Sequence, residues 1–242
     1  MPMATFTSSI LIGADMTNYI VTGFHTPDEK YTALANKLRQ NLDALGISHR
    51  IYARGFDGGW DRQLMAKPST VLLAMRDNPG KTIVLMDIDC EVTGKLAELV
   101  DTKADVDLNF SVKAKRRNKS SMWASSRIIV WHQTPNARRL AMTWLEFCEK
   151  AVAARSSRDI LCDERQLMAA IHATPGVCIA QVDERFAALE VGTAPEDAVI
   201  VHRSAHNTSK KFWGIKSAIK THKRALIERL TGKPYAEWRH GT

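Results

Sequence analysis

The stretch that most limits what this chain can fold into is KTIVLMDIDCEV, Lys81 to Val92. Thr82–Met86 is a run of apolar and β-prone residues with the length and composition of a strand inside a sheet. It stops at two aspartates one residue apart, Asp87 and Asp89, with Glu91 beyond. Carboxylates of that density belong outside a core, so the strand must end where they begin.

The residues ahead of this run set its context. NYIVTGF (18–24) reads as a first strand, and TPDEKYTALANKLRQNLDALG (26–46) as a helix. Thr26 is the expected cap, Pro27 suits the first helical position, and Asp28 and Glu29 suit the positive end of the dipole. Tyr31, Leu34, Ala35, Leu38, Leu42 and Leu45 recur at helical spacing, and Gly46 stops the helix. HRIYAR (49–54) reads as a second strand. A Gly-rich turn then leads to a helical segment over 64–75, interrupted at Pro68. The order β-α-β-α-β predicts an α/β fold, a mixed central sheet flanked by helices. In such sheets ligands bind beyond the carboxyl ends of the strands, where Asp87 and Asp89 fall. Further on, strands are predicted at 126–131, 177–182 and 198–202, and helices at 134–154 and 163–173. Leu140, Trp144, Phe147 and Cys148 form the inward face of the first of these helices.

Charge is unevenly placed. The net charge is +8, and from Arg203 onward ten Lys and Arg face two acids, so the first 202 residues balance at 24 against 24. A second basic run, KAKRRNK, spans Lys113–Lys119. Such runs are either solvated faces or surfaces for phosphate, nucleic acid or anionic lipid. Residues 213–242 read as a basic helical tail packed on a domain of residues 1–212. The N-terminus lacks the pattern of a signal peptide and no stretch reaches membrane-spanning length, so a cytoplasmic setting is expected, with contact at the inner membrane face open to the basic tail. The four cysteines are widely spaced and form no CxxC pair, which fits a reducing compartment.

An Asp-x-Asp in extended chain puts both carboxylates on one face. Two like charges so close need a positive partner, and a divalent cation such as Mn2+ or Mg2+ supplies one while sharing its shell with a substrate's phosphates. Solvated turn aspartates are the plain alternative.

PGKTIVLMDIDCEV resembles the DxD segment of GT-A-fold glycosyltransferases that use nucleoside-diphosphate sugars. Other segments resemble that family in order: 19–47 its first strand and helix, GGWDRQLMAKPSTVLLAM the helix before the DxD strand, SSRIIVWHQTPNARRLAMTW a later strand and helix, DERQLMAAI an acidic helix start near the reacting sugar, and AVIVHRSAHNTSKK the closing strand. Together they cover residues 17–212. Where the family usually has Gly-Thr, this chain has Ser125-Ser126-Arg127, and Arg127 adds bulk and charge beside the sugar.

The resemblance implies a Rossmann-like GT-A domain and a metal-dependent transferase of hexosyl or related groups. It places Asp87 on the ribose or the metal, Asp89 on the metal, and His202 in the metal shell, with His206 as rival. Thr22, Gly23, Phe24, His25, Lys67 and Ile88 would border the donor, and Lys210 and Lys211 would meet its diphosphate. Asp163 and Glu164 are the candidate catalytic carboxylates, as base or as stabiliser of an oxocarbenium ion, beside their plain role at a helix start. Trp60 and Trp123 would border the sugar or acceptor, or sit in the core. The expected partners are a UDP- or GDP-sugar and a hydroxyl acceptor, carbohydrate or lipid-linked ahead of a modified DNA base. Two other classes compete: a phosphatase of the haloacid dehalogenase kind, which also places Asp-x-Asp after a strand, and a non-enzymatic basic module for nucleic acid.

Overall fold

The structure, a computed structural model, describes residues 18–55, 59–115, 119–156, 161–189 and 195–203. The basic tail, His206, Lys210, Lys211 and the Trp60 side chain lie outside the described residues.

β1 (Tyr19–His25) is flanked by β2 (His49–Ala53) and β3 (Thr82–Met86), both parallel to it. β1 is buried at all but one position, as a strand covered on both faces must be. Thr22 stands opposite Leu85 in this register, and a Cβ on the next residue, Gly23, would meet the Met86 carbonyl oxygen at 2.6 Å. Only glycine lets the two strands approach this closely.

α1 (Glu29–Ala44) crosses between β1 and β2. Its cap is Asp28, whose Oδ1 accepts the Tyr31 N–H at 3.0 Å, and not Thr26 as expected. The Thr26 hydroxyl donates to the other Asp28 oxygen, so it holds the cap in place. Pro68 does not interrupt a helix either. α2 (Trp60–Leu64) ends before it, and α3 (Lys67–Asp77) begins with it in the first turn, where a missing N–H costs nothing.

After β3 come β4 (Cys90–Val92), the short α4 (Ala97–Val100), and a hairpin of β5 (Val106–Lys115) and β6 (Lys119–Trp131). The sequence reading missed β5 and the first half of β6. β6 lies antiparallel to β3 and carries the β5–β6 pair past the aspartate end of that strand, so the paired Lys115 and Lys119 fall at its far end. α5 (Pro135–Ala153) is capped by Thr134, and α6 (Asp163–Ala173) and β7 (Ile179–Gln181) follow. The large sheet runs β2-β1-β3-β6-β5-β7. β8 (Ala188–Leu189) and β9 (Ile200–His202) join β4 in a second sheet, ordered β4-β9-β8.

β3 divides the interior with period two. Ile83 and Leu85 face a core shared with Met75, Trp131, Leu140, Trp144 and Leu167 from α3, β6, α5 and α6. Val84 and Met86 face a second core with Leu38 and Leu42 of α1 and Val92 and Ile200 of the small sheet. Trp131 and Trp144 stack with ring centroids 6.0 Å apart. All four cysteines are free, and among the described residues no helix is long and apolar enough to cross a membrane.

Candidate active site

β3 ends at Met86 because the chain turns. The Cys90 N–H donates to the Asp87 carbonyl at 3.1 Å, and the Asp87 N–H donates to the Arg127 carbonyl on β6 at 2.9 Å. The two aspartates thus sit in a tight turn between β3 and β4, and not in extended chain as expected. Antiparallel pairing of β4 with β9 then sets Cys90 opposite His202. A residue 115 positions from Asp87 is brought to it by one register.

His202 Nε2 lies 3.0 Å from Asp89 Oδ1 and 3.7 Å from Asp87 Oδ2. One ligand atom from each of the three residues falls within 4.8 Å of the others, so Asp87, Asp89 and His202 could hold a metal ion. Burial alone would lower the His202 pKa. Hydrogen bonds and charge from the two aspartates outweigh it and raise the pKa to about 9. The donor set, two carboxylates and one imidazole, fits a divalent cation of intermediate hardness. The buried His202 Nδ1 has no hydrogen-bond partner among the described residues, which leaves the ring held through Nε2 alone.

Behind the aspartates lies a buried ion cluster. Lys67, 4% exposed, opens α3, and its Nζ meets Asp87 Oδ1 at 2.8 Å and Asp163 Oδ2 at 3.3 Å. It also donates to the Ser126 carbonyl and hydroxyl at 3.1 and 3.0 Å. Burial pulls the Lys67 pKa down, but the charges of Asp163 and Asp87 more than offset it and keep the ammonium protonated. Asp163 is fixed further by the Ser126 hydroxyl at 2.6 Å, and its backbone carbonyl accepts the Trp144 indole N–H at 3.1 Å.

An irregularity in β6 places Ser126. Leu108 of β5 pairs with Ile129, but the next residue, Asn109, pairs with Ser125, which leaves Ser126, Arg127 and Ile128 as extra residues on β6. Such bulges re-aim side chains. Here Ser126 points to Lys67 and Asp163, while the Arg127 Nε donates to Ser125 Oγ at 2.8 Å.

These groups line one cavity of about 480 Å3, the size of a small-ligand site. Of the residues singled out in the sequence, Phe24, His25, Lys67, Asp87, Ile88, Asp89, Asp163, Glu164 and His202 all line it. Thr22 and Gly23 do not: Thr22 is fully buried with its hydroxyl on the Arg50 carbonyl, and Gly23 serves strand packing. His25 is fixed by Nδ1 on the Thr26 carbonyl at 2.8 Å, with Arg39 3.4 Å from Nε2. Glu164 accepts the Trp123 indole N–H from the hairpin. Tyr31 and Gln63 also line the cavity and were not read as site residues. Tyr31 carried a signal, since a tyrosine in the first turn after a strand end stands at the same sheet edge as the aspartates.

No family model matches the chain, and no curated protein matches it. Solved structures do. A glycosyltransferase involved in the glycosylation of the major capsid of PBCV-1 aligns with a TM-score of 0.57 and 13% identity, covering 78% of this chain and 95% of that one. An active-site mutant of LgtC aligns at 0.46 and 9%, over 84% and 95% of the two chains. The glycosyltransferase GlyE of Streptococcus pneumoniae aligns at 0.44 and 10%, over 76% and 54%. With a six-stranded mixed sheet, flanking helices and the alignment to the PBCV-1 enzyme, the chain has a GT-A-like glycosyltransferase fold.

Proposed function

We propose that this protein is a metal-dependent glycosyltransferase that moves a sugar from a nucleoside-diphosphate-sugar donor, UDP- or GDP-linked, to a hydroxyl acceptor. The observation that carries this reading is the convergence of Asp87, Asp89 and His202 on one side of a cavity whose other side holds the Lys67–Asp163–Ser126 cluster.

In this account Asp87, Asp89 and His202 hold Mn2+ or Mg2+. When bound, the ion neutralises the charge that grows on the departing nucleoside diphosphate. Lys67 holds the Asp87 carboxylate in place through its contact at 2.8 Å. Asp163 has Oδ2 committed to Lys67 and Ser126, so it acts as a positioning residue and holds the cavity wall rigid. That leaves Glu164, at the cavity wall beside Trp123, as the carboxylate proposed to receive or orient the acceptor hydroxyl. Phe24, His25 and Ile88 border the nucleoside, and Lys210 and Lys211 are proposed to meet the diphosphate. The acceptor is proposed to be a carbohydrate or lipid-linked hydroxyl, with the basic tail serving an anionic surface.

The test is nucleotide release. The full chain with Mn2+ is incubated with a panel of UDP- and GDP-sugars. At least one donor should release nucleoside diphosphate, and Asp89→Asn should slow that release by about 100-fold or more, the scale of losing one transition-state stabiliser. Folded protein that neither binds nor turns over any donor would overturn the proposal.

A further inference from the structure

The cavity contains a cation that the metal site and its supporting cluster do not use. Two other cationic groups at the cavity have described carboxylate partners. Lys67 sits between Asp87 and Asp163, and His202 between Asp87 and Asp89. Arg127 is different. Its side chain lines the cavity, half-buried, and its one described side-chain bond runs from Nε to the neutral Ser125 hydroxyl at 2.8 Å. Among the described residues no carboxylate lies within ion-pair distance of it, and both Nη groups are without a protein acceptor.

Its placement is specified by the backbone. Arg127 belongs to the three extra residues of β6, so its direction is set by the bulge. Its carbonyl accepts the Asp87 N–H, and its neighbour Ser126 bonds Asp163. The Arg127 backbone therefore lies against the aspartate turn, where a diphosphate would be held, and its side chain lines the same cavity as Asp163 and Glu164. A sugar attached to a diphosphate held at the aspartates would share this cavity with Arg127. A neutral hexose there would bury the guanidinium against a ligand with no countercharge, which is costly. A planar fork of N–H donors matches a carboxylate bidentately.

We propose that Arg127 reads a carboxylate on the donor sugar, so that the substrate class is a nucleoside-diphospho-uronate and not a neutral hexose donor. This rests on the nucleotide-sugar reading of the cavity and deepens it.

The test is equilibrium binding to the full chain in Mn2+, without acceptor, so that an anionic acceptor cannot account for the result. The probes are UDP, UDP-glucose, UDP-galactose, UDP-glucuronate and UDP-galacturonate, together with GDP, GDP-mannose and GDP-mannuronate. At least one acidic donor should bind about 10-fold or more tightly than its neutral counterpart on the same base, the scale of a charge-assisted hydrogen bond. Arg127→Gln should erase that preference while changing affinity for the bare nucleotide by less than about 2-fold, and Arg127→Lys should keep part of it. Equal binding of acidic and neutral donors overturns the inference and leaves the transferase reading standing. So does an equal loss for the bare diphosphate in Arg127→Gln, which would put the guanidinium on the phosphates. Failure of the wild type to bind any nucleotide or nucleotide sugar overturns both. The wild-type comparison decides the matter even if a variant does not fold.

Discussion

Replacing Lys67 by methionine removes one ammonium and keeps most of the side chain's bulk. The ammonium has two carboxylate contacts, at 2.8 and 3.3 Å, and two contacts to Ser126. At an effective dielectric of about 20 these attractions are worth about 6 and about 5 kcal/mol. Desolvation of three ions, at several kcal/mol each, cancels much of that. What the substitution exposes is the cost of two acids left without their cation, about 3–5 kcal/mol. Urea unfolding in EDTA, followed by tryptophan fluorescence, reads this as a lower midpoint at unchanged slope. Asp163→Asn in the same background should restore part of the loss, with a coupling of at least about 1.5 kcal/mol between the two substitutions. A loss below about 1 kcal/mol, or additivity within about 0.5 kcal/mol, would refute the claim that Lys67 holds the cluster together.

Two further outcomes are expected. Gly23→Ala would place a Cβ 2.6 Å from a backbone oxygen that cannot rotate away, so β1 and β3 must separate. The cost is about 1–3 kcal/mol, seen as a lower melting temperature, and an unchanged melt would contradict the strand-packing role. Tyr52 is held near pKa 12, first by burial and then by its hydrogen bond to Asp77. Because the unfolded phenol ionises near 10, Tyr52 favours the fold below about pH 10 and loses that contribution as pH rises through about 12. Ultraviolet titration of phenolate should show a late-titrating component that Tyr52→Phe removes; a titration unaltered by the substitution would contradict it.

Local pattern carried much of the fold. The Thr82–Met86 run, the helical spacing of α1 and α5 and the acidic start of α6 each follow from residues adjacent in sequence. β5 is equally legible, since Val106, Leu108, Phe110, Val112 and Ala114 alternate with polar residues. The bulge was not legible. It exists only in the pairing of β5 with β6, and nothing in Ser-Ser-Arg distinguishes a kinked strand from a regular one. The same holds for the metal candidates. Asp87 and Asp89 announce themselves at the end of an apolar run, whereas among eight histidines only the family resemblance points to His202, and the β4–β9 register is what brings it to them. Only the family resemblance marks Lys67 as a site residue, because its two carboxylates come from segments 20 and 96 residues away.

The central claim is that Asp87, Asp89 and His202 together bind a divalent cation, and Mn2+ anomalous diffraction tests it most directly. A crystal soaked with Mn2+ and UDP or GDP should show one strong anomalous peak within about 2–2.5 Å of an Asp89 oxygen and of His202 Nε2, with the diphosphate on its open side. A well-ordered site with no peak there, or with Mn2+ bound away from all three side chains, would contradict the account.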